Sequence, residues 1–161
     1  MNRIKNYLIN TFLLFLIIYS FSGCLSTNVS EQEKAQALEV GSPLIITSFW
    51  TGAPNSAGGV DLNISYDYIS DKEAKYIYFT VTPYNGVDDV VSSEIGNKTK
   101  ARCKITGPIK KGRDYGSFSC VWYNHTIKYS KLNMLEIEYM DGTKITISDP
   151  NIIESYIVKS K

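Results

Sequence analysis

Three cysteines and a single histidine are the residues in this 161-residue chain best suited to act as nucleophiles or soft metal ligands. They are too few for a zinc finger or a zinc enzyme centre. His125 stands in Tyr-Asn-His-Thr. A catalytic imidazole needs a nucleophile on one side and an orienting carboxylate on the other, and no Gly-x-Ser-x-Gly turn is present, so His125 reads as a surface residue. The dense acidic spots are Asp88-Asp89 and the pair Asp71 and Glu73. Calcium requires about six to eight oxygens from a loop with alternating ligand spacing, and both spots read as solvated turns. Too many carboxylates are scattered along the chain to single out a pair facing each other across a cleft, as glycoside chemistry needs. No enzyme activity, metal or cofactor is expected.

Cys103 and Cys120 flank the stretch ITGPIKKGRDYG. Strand parity puts Cys103 on a face with Ala101 and Ile105, and Cys120 with Phe118 and Trp122. Were the two strands a hairpin turning near Lys111-Gly112, the thiols would lie opposite each other at bonding distance. In an exported protein a disulfide is then the expectation, worth on the order of 3 kcal/mol. The alternative is two small thiols buried in an apolar core.

Four tyrosines are candidates for recognition. Tyr76 and Tyr78 project from the face opposite Ile77 and Phe79, and Tyr66 and Tyr68 stand on a neighbouring alternating segment. Tyrosine offers large contact area at low entropic cost, so a tyrosine-rich sheet face could bind a glycan or peptide. Packing inside the protein is the other reading and the favoured one.

The N-terminal residues MNRIKNYLINTFLLFLIIYSFSGC comprise a basic start at Arg3 and Lys5, an apolar run from Phe12 to Phe21, and a short Ser-Gly step before Cys24. The apolar run is well short of the ~20 residues that span a bilayer and has the proportions of a cleaved secretory signal. Phe21-Ser22-Gly23-Cys24 resembles the bacterial lipobox, with Phe21 in place of the usual Leu. The resemblance implies cleavage before Cys24, a diacylglycerol thioether on its sulfur, and acylation of the new N-terminus; several acyl chains hold a protein firmly where one does not. Cleavage removes Arg3 and Lys5 and no acid, taking the formal charge from +1 to −1. A near-neutral chain has no basic face for nucleic acid. The expected segments are a signal at 1–23, an acylated Cys24 with a polar tether over 24–42, and one domain over 43–161. Within the tether, Ser30 and Glu33 have capping-box spacing, but a helix this short is marginal alone and a flexible tether is expected.

From Leu44 the apolar period is two. Val60, Leu62, Ile64, Tyr66 and Tyr68 alternate with polar residues, and 75–82 alternates likewise. Further strands are expected at 89–95, 100–106, 116–123, 132–139 and 143–148, with Pro83 closing a strand or marking an edge. No long 3.6-residue period occurs in the domain. An all-β fold follows: an antiparallel immunoglobulin-like β-sandwich of seven to eight strands. One hairpin is predicted to the residue. A three-residue loop at Met140-Asp141-Gly142 pairs Tyr139 with Thr143, Ile137 with Ile145 and Leu135 with Ile147, keeping one apolar face intact, with Gly142 left-handed. The last stretch, NIIESYIVKSK, fits an edge strand or a short helix equally. The Asn-x-Ser/Thr triplets at Asn28, Asn63, Asn97 and Asn124 reflect composition beside a bacterial lipobox.

The strings KYIYFTVTPYN, ITGPIKKG, VWYNHTI and IEYMDGT follow one another in that order. Together they resemble an uncharacterised family of small extracytoplasmic bacterial domains, often on lipoproteins, with an immunoglobulin-like fold. The match covers about residues 44–148, on Pro83-Tyr84-Asn85, Gly107-Pro108, Trp122-Tyr123-Asn124 and Met140-Asp141-Gly142-Thr143. Val87-Asp88-Asp89 departs from it where a glycine is expected, and so does the Cys103 and Cys120 pair. The resemblance implies a fold and no activity. The expected protein is a membrane-anchored lipoprotein in the cell envelope whose non-enzymatic domain makes protein or envelope contacts, with a tyrosine-face ligand-binding module as the alternative.

Overall fold

The computed structural model describes residues 29–156, so the signal segment and Cys24 lie outside the described residues. Two antiparallel sheets pack face to face. One holds β1 (Leu44–Thr51), β2 (Gly59–Tyr68) and β5 (Gly112–Tyr123) in the order β1-β2-β5. The other holds β3 (Ala74–Tyr84), β4 (Ala101–Ile109), β6 (Tyr129–Tyr139) and β7 (Lys144–Ile147) in the order β4-β3-β6-β7. The chain is therefore an all-β sandwich with strands crossing between sheets, as immunoglobulin-like domains do. Residues 89–95 form no strand; only Val90 bridges back to Tyr84. There the chain spends its polar groups on loop bonds rather than on a ladder.

The core follows from the period of two. Val60, Leu62, Ile64, Tyr66 and Tyr68 of β2 face Ile77, Phe79 and Val81 of β3, with Trp122 between the sheets. A large apolar side chain removed from water contributes about 1.5–3 kcal/mol, and this interleaved layer carries the fold. The predicted hairpin is present. The Tyr139 N–H donates to the Thr143 carbonyl at 2.9 Å, Ile137 pairs with Ile145, Leu135 pairs with Ile147, and Gly142 has φ +83°.

The polar stretch expected as a tether folds instead from Ser30 onward. Helix α1 (Glu31–Glu39) has a full capping box, with the Ser30 hydroxyl accepting from the Glu33 N–H at 3.2 Å and the Glu33 carboxylate accepting from the Ser30 N–H at 2.8 Å. The helix docks through Ala37, which packs with Val29 on Ile45 and Ile69, and Lys34 lies 3.6 Å from Asp67. A helix that fails alone is held here because Ile45 of β1 and Ile69, just past β2, form an apolar patch beneath it. Helix α2 (Pro150–Tyr156) resolves the open choice at the C-terminal stretch, and its Ile153 enters the main core.

The expected disulfide is absent: both cysteines are free. β4 and β5 are not a hairpin. After Ile109, which pairs with Ala74 of β3, the chain crosses through Lys110-Lys111 to Gly112, which pairs with Tyr68 of β2. The thiols therefore belong to different sheets. Cys103 points into the core opposite Phe79. Cys120 sits on a bulge, because Val60 pairs with Trp122 and Leu62 with Phe118, leaving Asp61 to face three residues. Its φ of +50° breaks the parity that the alternation implied.

Candidate functional site

The sandwich has two ends. Residues 29–43 enter at one of them, beside the 69–73 turn, the Lys110-Lys111 crossover and the 140–142 loop. The opposite end carries the longer connections 52–58, 85–100 and 124–128. An asparagine organises each of these. Asn55 Oδ1 accepts from the N–H groups of Ala57 and Gly59, and Asn85 Oδ1 from those of Val87 and Asp89, all at 2.9–3.0 Å. Asn124 Oδ1 accepts from the Thr126 N–H at 2.8 Å while its amide donates to the Ser92 carbonyl at 3.0 Å. Such side-chain turns substitute for backbone ladders.

Asp88 has φ +66°, the left-handed conformation for which glycine was expected at Val87-Asp88-Asp89. Aspartate tolerates it, and its carboxylate accepts from the Tyr129 hydroxyl, which that bond pushes up to about 12. Tyr129 stacks on Tyr84 with ring centres 5.3 Å apart, and Lys131 Nζ lies 4.9 Å from the Tyr84 ring centre. The reading of the chain missed this pair; Tyr84 was visible only as part of Pro-Tyr-Asn, and Tyr129 has no motif around it. Around this end, Trp50, Val87, Val90 and Ile95 are more than half exposed.

The four tyrosines proposed as a binding face are separated. Tyr66 and Tyr68 are buried within the sandwich: Tyr66 packs 6.2 Å from Phe79, and the Tyr68 hydroxyl donates to the Lys72 carbonyl at 2.6 Å. Burial pushes the Tyr66 phenol strongly upward and that of Tyr68 to about 12. Tyr76 and Tyr78 do stand on the outer face of β3, but cations cover them. The Arg102 guanidinium lies 3.5 Å from the Tyr78 ring centre, and Lys104 Nζ lies 4.5 Å from that of Tyr76. Arg102 also pairs with Glu136 at 3.0 Å, which raises its pKa, and Glu138 is held low by Lys144 at 3.0 Å and by Lys75. This face is a closed mosaic of ion pairs and capped rings.

His125 and Cys120 lie near each other's loops without forming a catalytic pair. The His125 imidazole sits against Gly58, where an added Cβ would meet Nε2 at 3.3 Å. Cys120 donates its N–H to Asp61 Oδ1 at 2.7 Å, and its sulfur lies over Gly59 with Asn55 Nδ2 4.0 Å away. Asp71 and Glu73 are occupied by Lys111 and Lys110. Among the described residues no group of three or more His, Cys, Asp or Glu side chains could hold a metal ion.

A groove of about 600 Å3 runs between β4 and β5, where the two sheets part. Its floor is Ala101, Cys103, Phe118 and Val121, and its rim is Lys98, Lys100, Arg102 and Lys104. Within β4 the alternation Ala-Arg-Cys-Lys produces this division, with Ala101 and Cys103 turned in and Arg102 and Lys104 turned out, while exposed Lys98 and Lys100 reach the rim from the connection before the strand. Burial pushes the Cys103 thiol up to about 11, so the floor is uncharged at neutral pH. The chain matches no family model, no curated protein and no solved structure.

Proposed function

We propose that this chain is a bacterial lipoprotein, held to a membrane of the cell envelope through acylated Cys24, whose immunoglobulin-like domain is a non-enzymatic protein-contact module. The polarity of the domain is the observation that carries the reading. The chain enters at the end where α1 is docked, and the loops bearing exposed Val87, Val90 and Ile95 lie at the opposite end. A lipid on Cys24, a few residues before α1, would leave those loops farthest from the bilayer and free to meet a partner. The lipobox at Phe21-Ser22-Gly23-Cys24 and the resemblance to envelope domains support the same reading. The tyrosine-face alternative has lost its support, because two of its four rings are buried and the other two are capped.

The test has two parts. Intact mass of the protein extracted from its host's membranes should show a chain beginning at Cys24 with acyl mass added. An unacylated chain in the soluble fraction overturns the anchor. A photo-crosslinking residue in place of Val87 or Ile95 should then capture an envelope protein in intact cells, while one in place of Asp71, at the anchored end, should not. Equal capture at both ends overturns the distal-contact reading.

A further inference from the structure

The groove between β4 and β5 lies along a flank of the domain, and its cationic end, at Lys98 and Lys100, borders the 85–100 connection. β4 ends its sheet and β5 ends the other, so each has one edge without a partner strand among the described residues. Such an edge is a template for an added strand. Its side chains specify what that strand must be. Inward, Ala101 and Cys103 are small and face half-buried Phe118 and Val121 across the gap, leaving an apolar slot. Outward stand Arg102 and Lys104, and exposed Lys98 and Lys100 join them from the connection that leads into β4. Arg102 and Lys104 are engaged with Glu136 and the Tyr76 ring, whereas Lys98 and Lys100 have no ion-pair partner among the described residues.

We propose that β4 accepts an extended segment of a partner protein in which acidic and apolar residues alternate. Paired on the β4 edge, such a strand shares the parity of β4. Its apolar side chains enter the slot beside Ala101 and Cys103, its carboxylates stand in cross-strand register with Arg102 and Lys104, where opposite charges stabilise the pairing, and a carboxylate carried past the start of β4 meets Lys98 and Lys100. A second copy of this chain is a poor occupant, since joining β4 to β4 would oppose cation to cation.

The partner class is tested with the full chain in nonionic detergent and three synthetic nonapeptides. One alternates Glu with Val, one has the same composition in two blocks, and one alternates Lys with Val. The alternating acidic peptide should bind at physiological salt, and hydrogen exchange should slow at the amides of residues 101–105. The other two should bind at least tenfold more weakly. Lys98→Glu with Lys100→Glu should weaken the alternating peptide by tenfold or more without altering the melting curve. Ala101→Phe, which fills the slot and leaves the cations, should weaken it comparably. Equal binding of the block peptide, or equal binding of anionic vesicles competed by salt alone, would mean unspecific charge attraction and overturn the proposal. Protection mapped to the 85–100 loop rather than to 101–105 would overturn it as well.

Discussion

On the flank where β1 and β7 end their sheets, α2 lies across the gap, placing Ile153 in the core and Ile152 against it. On the flank where β4 and β5 end theirs, the floor of Ala101, Cys103, Phe118 and Val121 stays open. The lower part of this second flank is nonetheless shut. The short Lys110-Lys111 crossover draws the strands together there, and Ile105 reaches Gly116, where an added Cβ would lie 2.8 Å from the Ile105 tip. Higher up, β4 turns inward only a thiol and a methyl group. One flank is thus closed by an added element and the other left unfilled by the choice of small side chains. In a sandwich whose buried residues are otherwise well covered, that asymmetry is what a binding surface needs.

The largest effect should come from uncapping the closed flank. Ile153→Ala removes a side chain that is 5% exposed and deep in the core cluster. Truncations of this kind cost about 2–5 kcal/mol, more where the site cannot collapse, and among the described residues α2 packs on the core through Ile153 and the partly buried Ile152. Denaturant unfolding should show a loss of about 3 kcal/mol. A loss under 1 kcal/mol would mean that α2 is an ornament, and the contrast between the flanks would fail.

A smaller effect should appear at the open flank as a pH dependence. Cys103 is 7% exposed, and burial raises its thiol to about 11. Its folded pKa lies above its unfolded value, so the stability it contributes is whole below about pH 9 and is lost as pH rises through 11. The loss is on the order of 2 kcal/mol. Tyr66 and Tyr68 titrate in the same direction, so the informative quantity is the difference between the protein and Cys103→Ala across pH 8–11. Parallel curves would show that water already reaches the sulfur through the groove.

Much of this architecture is legible in the sequence alone. The Met140-Asp141-Gly142 loop was fixed by two constraints acting together, an alternation with one buried face and a glycine able to take positive φ. The parity of Cys103 was equally legible. Which sheet each strand joins was not. A period of two is the same in either sheet, so the chain near Lys111-Gly112 reads as a hairpin turn where it crosses between sheets, and a disulfide follows that the fold does not form. Docking of α1 was illegible for another reason: its one buried apolar side chain is Ala37, too thin a stripe to show as helical periodicity. The groove was hidden in plain view. Lys-Thr-Lys-Ala-Arg-Cys-Lys has the alternation, but only an unpaired edge makes it a surface.

The smallest effects compare two added carbons on the same flank. Gly116→Ala places a methyl group 2.8 Å from both the Ile105 tip and the Phe118 ring. Both are ends of flexible side chains, and Phe118 has the groove to swing into, so the cost should be about 1 kcal/mol rather than the upper range of overpacking. Ala101→Val, by contrast, adds its carbons to open space between the sheets on a residue that is only half-buried. β-branching also suits a strand, and the change in stability should stay within about 0.5 kcal/mol. Both substitutions should nevertheless weaken the alternating acidic peptide, Ala101→Val by filling the slot itself and Gly116→Ala by driving the Phe118 ring into it. If Ala101→Val cost as much as Gly116→Ala while leaving the peptide untouched, the upper flank would be packed like the lower one, and the difference between the two sides of the sandwich would reduce to α2 alone.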